Sequence, residues 1–259
     1  MTLDRDAVLA TALDLARGGG ELARRFAAEG VEVEAKDGTD LVTRTDRDVE
    51  RRMVHHLLAR YPEHAILGEE SGRHGPEAAR VQWLLDPLDG THNYAMGLDV
   101  YGVCLTVLLD GRAEVAVVHD SPSGRSTSAI RGRGAWQEGR RLSVRDPVPL
   151  ARTTVSWIQG YDIDLDDPAR RAVFDPLERS VKRVLRTWAP SRDWALLAEG
   201  GIDAVIAFRN EPWDLEGGAL IACEAGAIEV RTEDLVIVGV PAVVIELSTV
   251  LVSADDLDA

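Results

Sequence analysis

The chain of 259 residues has 44 acidic against 29 basic side chains, a formal net charge of −15, and 45% hydrophobic residues. That length can bury a substantial core, and the charge repels nucleic acid and anionic membrane, so neither is expected as a partner. No apolar stretch approaches the about 20 residues needed to span a bilayer. The opening MTLDRDAVLA is acidic and amphipathic, unlike a signal sequence. Cys104 and Cys223 lie in apolar runs and read as buried thiols, and the expected compartment is the cytoplasm.

Apolar residues at helical spacing (Val8, Leu9, Ala12, Leu13, Leu15, Ala16) predict a long amphipathic helix over 3–28. A charged strand or turn follows in VEVEAKDGTDLVT, with Asp37-Gly38 as the turn signal, and then a second helix over 46–61. The apolar run 65–67 ends in Gly68-Glu69-Glu70-Ser71. Residues 71–80 read as a polar loop, and 81–85 as a strand that stops at Asp86-Pro87. Runs 100–109 and 113–119 predict a hairpin turning at Asp110-Gly111, followed by strands near 126–130 and 135–144. Pro147 and Pro149 divide what reads as a single domain over 1–259 into possible sub-halves 1–146 and 147–259. Beyond them come a strand (153–158), a helix (168–180), a strand (181–187), a helix (191–200), a strand (203–208), a helix opened by Trp213-Asp214, and a β-rich tail. The mixture argues for α/β layers, with sheets sandwiched between helix pairs.

Three segments carry the chemistry: GEES at 68–71, WLLDPLDGT at 83–91, and PWD at 212–214. Each places a carboxylate where a buried element ends. Asp86 and Asp89 sit three apart across a Pro-containing turn and can face one cavity, an oxygen-rich arrangement that suits Mg²⁺. Gly90-Thr91 then opens a short helix whose free amides can cradle phosphate. Taken singly, each signal has a structural reading: Asp-Pro and Asp-Gly as turns, Glu69-Glu70 as a solvated loop, Asp46 or Asp214 as a helix N-cap. Their order and strand-end placement favour a site.

GEES, WLLDPLDGTHNY and PWDLEGGALIACEAGA resemble the inositol monophosphatase family of metal-dependent, lithium-sensitive phosphatases, with supporting similarity in AKDGTDLVTRTD, GLDVYGVCLTVLLDG and IRGRGAWQEGRRLSV. The resemblance implies the family's αβαβα sandwich, shared with fructose-1,6-bisphosphatases, two or three Mg²⁺ ions per site, and commonly a homodimer. It implies that Glu69, Asp86 and the Leu88 carbonyl hold one ion and that Asp86, Asp89 and Asp214 hold a second. Thr91 with Asp46 would orient and deprotonate the attacking water, and the Gly90 and Thr91 amides would hold the phosphate. Glu70 matches a second, less directly involved family glutamate, and Lys36, Asp40 and Thr43 lie in a segment that approaches the site in this family.

The substrate-facing stretch departs from the family pattern. A Gly-Ser/Thr-Ala-Ala-hydrophobic-Asp/Asn run is replaced by Trp188-Ala189-Pro190-Ser191-Arg192-Asp193, and a glutamate that binds substrate hydroxyls is replaced by Ala207. Trp188, Ser191, Arg192 and Asp193 are therefore the candidate substrate-binding residues. Arg192 could offer a bidentate fork to a second anionic group or face solvent. The expected function is a phosphomonoesterase acting on a sugar, cyclitol or amino-alcohol phosphate by metal-activated water attack. The alternatives are a nucleotide or bisphosphate phosphatase and, in another class, a catalytically silent metal-binding interaction protein.

Overall fold

In the computed structural model the chain lays two sheets between three layers of helix, and the structure describes residues 3–31, the backbone of 33–35, and 41–252. Lys36, Asp40 and the Asp37-Gly38 turn lie outside the described residues. Helix α1 (Arg5–Glu29) begins at Asp4, whose side chain accepts from the Ala7 amide. A hairpin of β1 (Val33–Ala35) and β2 (Leu41–Thr43) leads into α2 (Arg44–Arg60). Next come β3 (Ala65–Gly68), β4 (Gly72–His74), β5 (Val81–Asp89), helix α3 (Thr91–Ala95), β6 (Gly102–Leu109), β7 (Arg112–Asp120), β8 (Arg125–Ile130), β9 (Ala135–Gln137) and β10 (Arg140–Arg141). Eight of these strands form one sheet in the order β10-β9-β8-β7-β6-β5-β3-β4, in which only β3 and β5 run parallel among the described residues.

The remaining elements are β11 (Thr154–Gln159), α4 (Pro168–Ser180), β12 (Arg183–Leu185), α5 (Pro190–Ala198), β13 (Ala204–Phe208), α6 (Pro212–Glu224), β14 (Ile228–Arg231), β15 (Leu235–Gly239) and α7 (Pro241–Leu251). Their strands form a second sheet in the order β12-β11-β13-β15-β14. Helices α1 and α2 cover the outer face of the first sheet, α5 and α6 fill the space between the sheets, and α4 and α7 cover the second. This is the αβαβα arrangement expected.

The layers follow from where apolar side chains can hide. Val8, Ala12 and Ala16 of α1 and Val49, Met53 and Leu57 of α2 close over Trp83, Leu85 and Val103. Leu177 of α4 and Val243, Val244 and Leu247 of α7 close over Val155, Ile206 and Ile237. The helix α6 between the sheets is apolar on nearly every side, because both of its faces meet a sheet or α5. It fits only because it is thin: a Cβ at Gly217 would collide with Thr106 Oγ1, and one at Gly218 with the Trp194 ring.

Three sequence expectations are corrected. The stretch 71–80 contains β4, which pairs with β3 from Ile66↔His74 to Gly68↔Gly72. Strand β5 does not stop at Asp86-Pro87; it runs to Asp89 with an irregularity in its pairing to β6, so the proline is accommodated within a distorted strand end. The tail is not all β. Its β-branched run hides a helix, α7, with Pro241 in the first turn and Val243, Val244, Leu247 and Leu251 buried at helical spacing. No described helix is long and apolar enough to cross a membrane.

Candidate active site

Three buried carboxylates converge between the sheets. Asp86, Asp89 and Asp214 each bring an oxygen within 4.8 Å of the others. Residues three apart on a regular strand point to opposite faces. The distorted pairing between Asp86 and Asp89 is what turns both towards one cavity. Asp214 arrives from the opposite side, in the first turn of α6, and its backbone carbonyl is fixed by the Trp194 indole N–H at 2.7 Å.

Burial raises the carboxyls of Asp86 and Asp214 well above the ordinary carboxylate range, and the mutual repulsion of these groups and Glu69 adds to it. Asp89 is pushed up to about 7 by burial, with the Ser191 amide, donating at 2.7 Å, acting in the opposite direction. Asp86 Oδ2 and Asp214 Oδ1 are buried without a hydrogen-bond partner in the protein. Unpaired buried carboxylates are costly. A hard divalent cation with oxygen ligands matches both the charge and the donor set.

Glu69 follows β3, and its amide donates to the Leu85 carbonyl at 3.1 Å, tying GEES to the strand that carries Asp86. Its Oε1 accepts from the Tyr161 hydroxyl at 3.1 Å. Tyr161 is half exposed through its ring, but its hydroxyl lies against the acid cluster. Burial and then the charges of Asp214, Glu69, Asp86 and Asp89 drive the phenol pKa well up.

Thr91 and Asp46 are brought together. Thr91 Oγ1 lies 3.1 Å from Asp46 Oδ1 and 2.9 Å from the Leu88 carbonyl, so its single hydrogen serves one of the two. The Leu88 amide donates to Asp86 Oδ1 at 3.0 Å, which places the expected carbonyl ligand in the same tight turn. Asp46 is not an N-cap. Thr43 caps α2, and Asp46 closes the capping box with its Oδ2, leaving Oδ1 for Thr91. Burial raises Asp46 to about 6, against the lowering effect of its Thr43 bonds. Gly90 adopts φ +84°, where a side chain would also meet the Val100 carbonyl, and no side chain caps the start of α3.

The α5 segment is used differently from expectation. Ser191 is buried and gives its backbone N–H to Asp89. Asp193 is buried, accepts from Thr187 Oγ1 at 2.8 Å, and is raised to about 7 by burial. Arg192 is ion-paired with Glu199 at 3.5 Å, so it presents no free fork to the cavity. Trp188 projects outward, 57% exposed. Ala207 is buried in the apolar cluster that includes Trp194 and Leu215.

One residue escaped sequence reasoning. Glu50, buried on α2, accepts from the Glu70 amide at 2.9 Å and the Ser71 amide at 2.7 Å, and so clamps the GEES turn. The available signal was its place four residues after Asp46, on a helix face otherwise occupied by Val49, Met53 and Leu57.

The sequence profile described as the inositol monophosphatase family matches residues 4–254. The chain is 37% identical over 229 residues to the Nus factor SuhB of Pseudomonas aeruginosa, covering 85% of this chain and 84% of that protein. Among solved structures it is similar to Mycobacterium tuberculosis SuhB, with TM-score 0.81 and 26% identity over 96% of this chain and 97% of that one. It shares the fold of the Thermotoga maritima IMPase, with TM-score 0.82 and 24% identity over 95% and 96% of the two chains. These relatives correct one expectation. Proteins this similar bear the name Nus factor, so a net charge of −15 does not exclude nucleic acid among the partners. Net charge is also a poor guide to local charge here, because the exposed face of α2 carries Arg44, Arg47, Arg51, Arg52 and Arg60 with His55 and His56. Fold, site geometry and sequence profile agree: the chain belongs to the inositol monophosphatase family.

Proposed function

We propose that this protein is a Mg²⁺-dependent phosphomonoesterase that hydrolyses a small phosphorylated metabolite by direct attack of water. The observation that carries the reading is the buried trio Asp86, Asp89 and Asp214 within 4.8 Å, with the hydrogen-bonded pair Thr91 and Asp46 beside it. Asp86, Asp89, Asp214, Glu69 and the Leu88 carbonyl would hold the metal. Bound Mg²⁺ would make a coordinated water more acidic and offset the charge of the phosphate.

The chain's own groups do the rest. Asp46, raised to about 6, is mostly ionised at neutral pH yet basic enough to draw a proton through the Thr91 hydroxyl. Thr91 Oγ1, held between Asp46 and the Leu88 carbonyl, would direct a lone pair towards a water beside the metal. The Gly90 and Thr91 amides would bind phosphate oxygens. Neither thiol suits a nucleophile: Cys104 is buried, and burial plus the neighbouring carboxylates push its pKa well up, while Cys223, expected to be buried, is only half-buried and is pushed up to about 11, chiefly by that burial. Ala207 offers no acceptor for ring hydroxyls, so inositol monophosphate is expected to be a poor substrate.

The test is release of inorganic phosphate from glycerol 2-phosphate by the purified protein. Release is expected with Mg²⁺, to be abolished by EDTA, and to be restored by excess Mg²⁺. Absence of release above the uncatalysed rate at saturating Mg²⁺ would refute the proposal in favour of a silent metal-binding protein.

A further inference from the structure

We infer that the Tyr161 hydroxyl helps to select the ion: by holding Glu69 Oε1 it leaves that carboxylate one oxygen to give a metal, which favours Mg²⁺ over Ca²⁺. This rests on the metal site of the proposed function and deepens it, assigning ion discrimination to a positioning residue outside the ligand set.

Glu69 stands with the buried trio. Its charge and a hydrogen bond with the Asp86 carboxyl both act on Asp86, and its charge also acts on Asp214. Two observations place the Tyr161 hydroxyl. It donates to Glu69 Oε1 at 3.1 Å, and the charges that bear on it are those of Asp214, Glu69, Asp86 and Asp89.

Three carboxylates of this site are each held through one oxygen. Asp86 accepts the Leu88 amide on Oδ1 at 3.0 Å, and its Oδ2 is buried without a partner in the protein. Asp89 accepts the Ser191 amide on Oδ2 at 2.7 Å. Glu69 follows the same pattern, with Tyr161 on Oε1. A donor on one oxygen competes with any ion that would take both oxygens of that group, and it leaves the other for a single bond. Mg²⁺ demands a near-octahedral shell and keeps several waters, whereas the larger Ca²⁺ takes more oxygens, often both from one carboxylate. Leu88 and Ser191 give backbone amides, so Tyr161 is the donor that substitution can remove. A phenol is also neutral. It ties the oxygen without the positive charge by which a lysine or arginine would repel the ion.

The turn that carries Tyr161 is anchored on both sides. Gln159 Oε1 accepts from Trp157 Nε1 and from Arg170 Nε, both at 2.9 Å. Gln159 Nε2 donates to the Ile163 carbonyl at 3.1 Å, closing the turn around Tyr161. The Gly160 amide donates to the Phe208 carbonyl at 3.1 Å, and a Cβ at Gly160 would collide with the Arg209 carbonyl oxygen. The turn is thereby pinned to the end of β13. Yet the Tyr161 ring is half exposed, so packing does not account for an aromatic here. What the anchored turn delivers to the site is the hydroxyl.

Isothermal titration calorimetry of the full-length, metal-free protein with Mg²⁺ and with Ca²⁺ tests the inference. The ratio of dissociation constants, Ca²⁺ over Mg²⁺, should fall about tenfold in Tyr161→Phe, mostly through tighter Ca²⁺ binding, as expected for one hydrogen bond to a charged group. Tyr161→Leu, which lacks the ring as well, should show the same ratio, because the hydroxyl alone carries the effect. In a Glu69→Gln background Tyr161→Phe should move the ratio by less than about twofold, since the effect runs through that carboxylate. A ratio unchanged in Tyr161→Phe overturns the inference. So does a parallel weakening of both ions, which would mean that Tyr161 merely holds Glu69 in place for any metal, and so does a shift that persists without Glu69. If neither ion binds the wild type, the metal-site reading itself fails, a result recognisable because no variant plays a part in it.

Discussion

The two sheets feed one cavity in different ways. The eight-stranded sheet delivers its site residues in two short runs, Gly68–Ser71 and Asp86–Thr91 in number order, at the ends of the adjacent parallel strands β3 and β5. The five-stranded half delivers isolated residues from separate places: Tyr161 after β11, Ser191 in α5, and Asp214 in α6. Groups that must lie within a few ångströms of one ion gain from sharing a strand end, where the backbone fixes their spacing. Groups that meet the rest of a substrate only need to line a wall, and they can be exchanged one at a time. Candidate metal ligands therefore come from both halves, clustered in the first and single in the second.

This division can be broken or sharpened by substitution. The largest effect is expected from Asp89→Asn and Asp214→Asn, one from each side. Each should lower kcat by about 10³-fold, roughly 4 kcal/mol of barrier, with circular dichroism unchanged. Retention of more than a tenth of kcat would remove that residue from the metal set. Thr91→Ala should follow, lowering kcat about 10²-fold, while the Mg²⁺ concentration for half-maximal activity moves little. Parallel losses in both would turn Thr91 into a metal-site residue and not a water-orienting one. Glu50→Gln should cost about tenfold in kcat, because two GEES amides lose a charged acceptor. An unaltered kcat would show that the turn holds Glu69 without the clamp.

A pH titration of stability reads the buried acids of both halves together. Asp46, Asp89 and Asp193 are raised to about 6, 7 and 7 from an ordinary value of 3.8. Between those limits the folded protein holds protons that the unfolded chain has released. In EDTA the melting temperature should therefore fall as pH rises from about 4 to about 7, and these groups should contribute no further fall above that. Millimolar Mg²⁺ should raise the melting temperature most at the upper end of this window, since an ion bound only by the folded state offsets the repulsion. A melting temperature that rises with pH in EDTA would contradict the burial of these groups as acids. The smallest effect is reserved for Arg192→Ala. It removes a partly exposed ion pair with Glu199 and should change kcat/KM by less than about threefold.

Legibility in the sequence followed the same division. The αβαβα layering was readable from the periodicity of α1, α2 and the hairpin strands, and from the resemblance carried by DPLDGT and PWD. Asp86, Asp89 and Asp214 do meet, and Thr91 reaches Asp46, because these residues occupy short runs whose backbone geometry is nearly self-determined. The place of Glu50 on the buried face of α2 marked it, but not what it binds, because its partners are backbone amides 20 and 21 residues away. Arg192 was the more conspicuous arginine by position, yet Glu199, one turn and three residues further along the chain, takes it up. Helix α7 was lost among β-branched residues because its four buried positions suit a helix and a strand almost equally until Pro241 sets the start.

The bond from the Ser191 amide to Asp89 spans 102 residues. It joins the start of α5 to the end of β5, so the pocket for a cation is finished only when both sheets have formed and docked. An ion cannot template a site that local structure does not yet contain. Its binding energy would therefore be absent from any early folding nucleus and would act on the way out of the native state. For such a contact the rate of unfolding slows and the rate of folding is left alone. Magnesium would serve this protein as a latch on an assembled structure, lengthening its lifetime without hastening its birth.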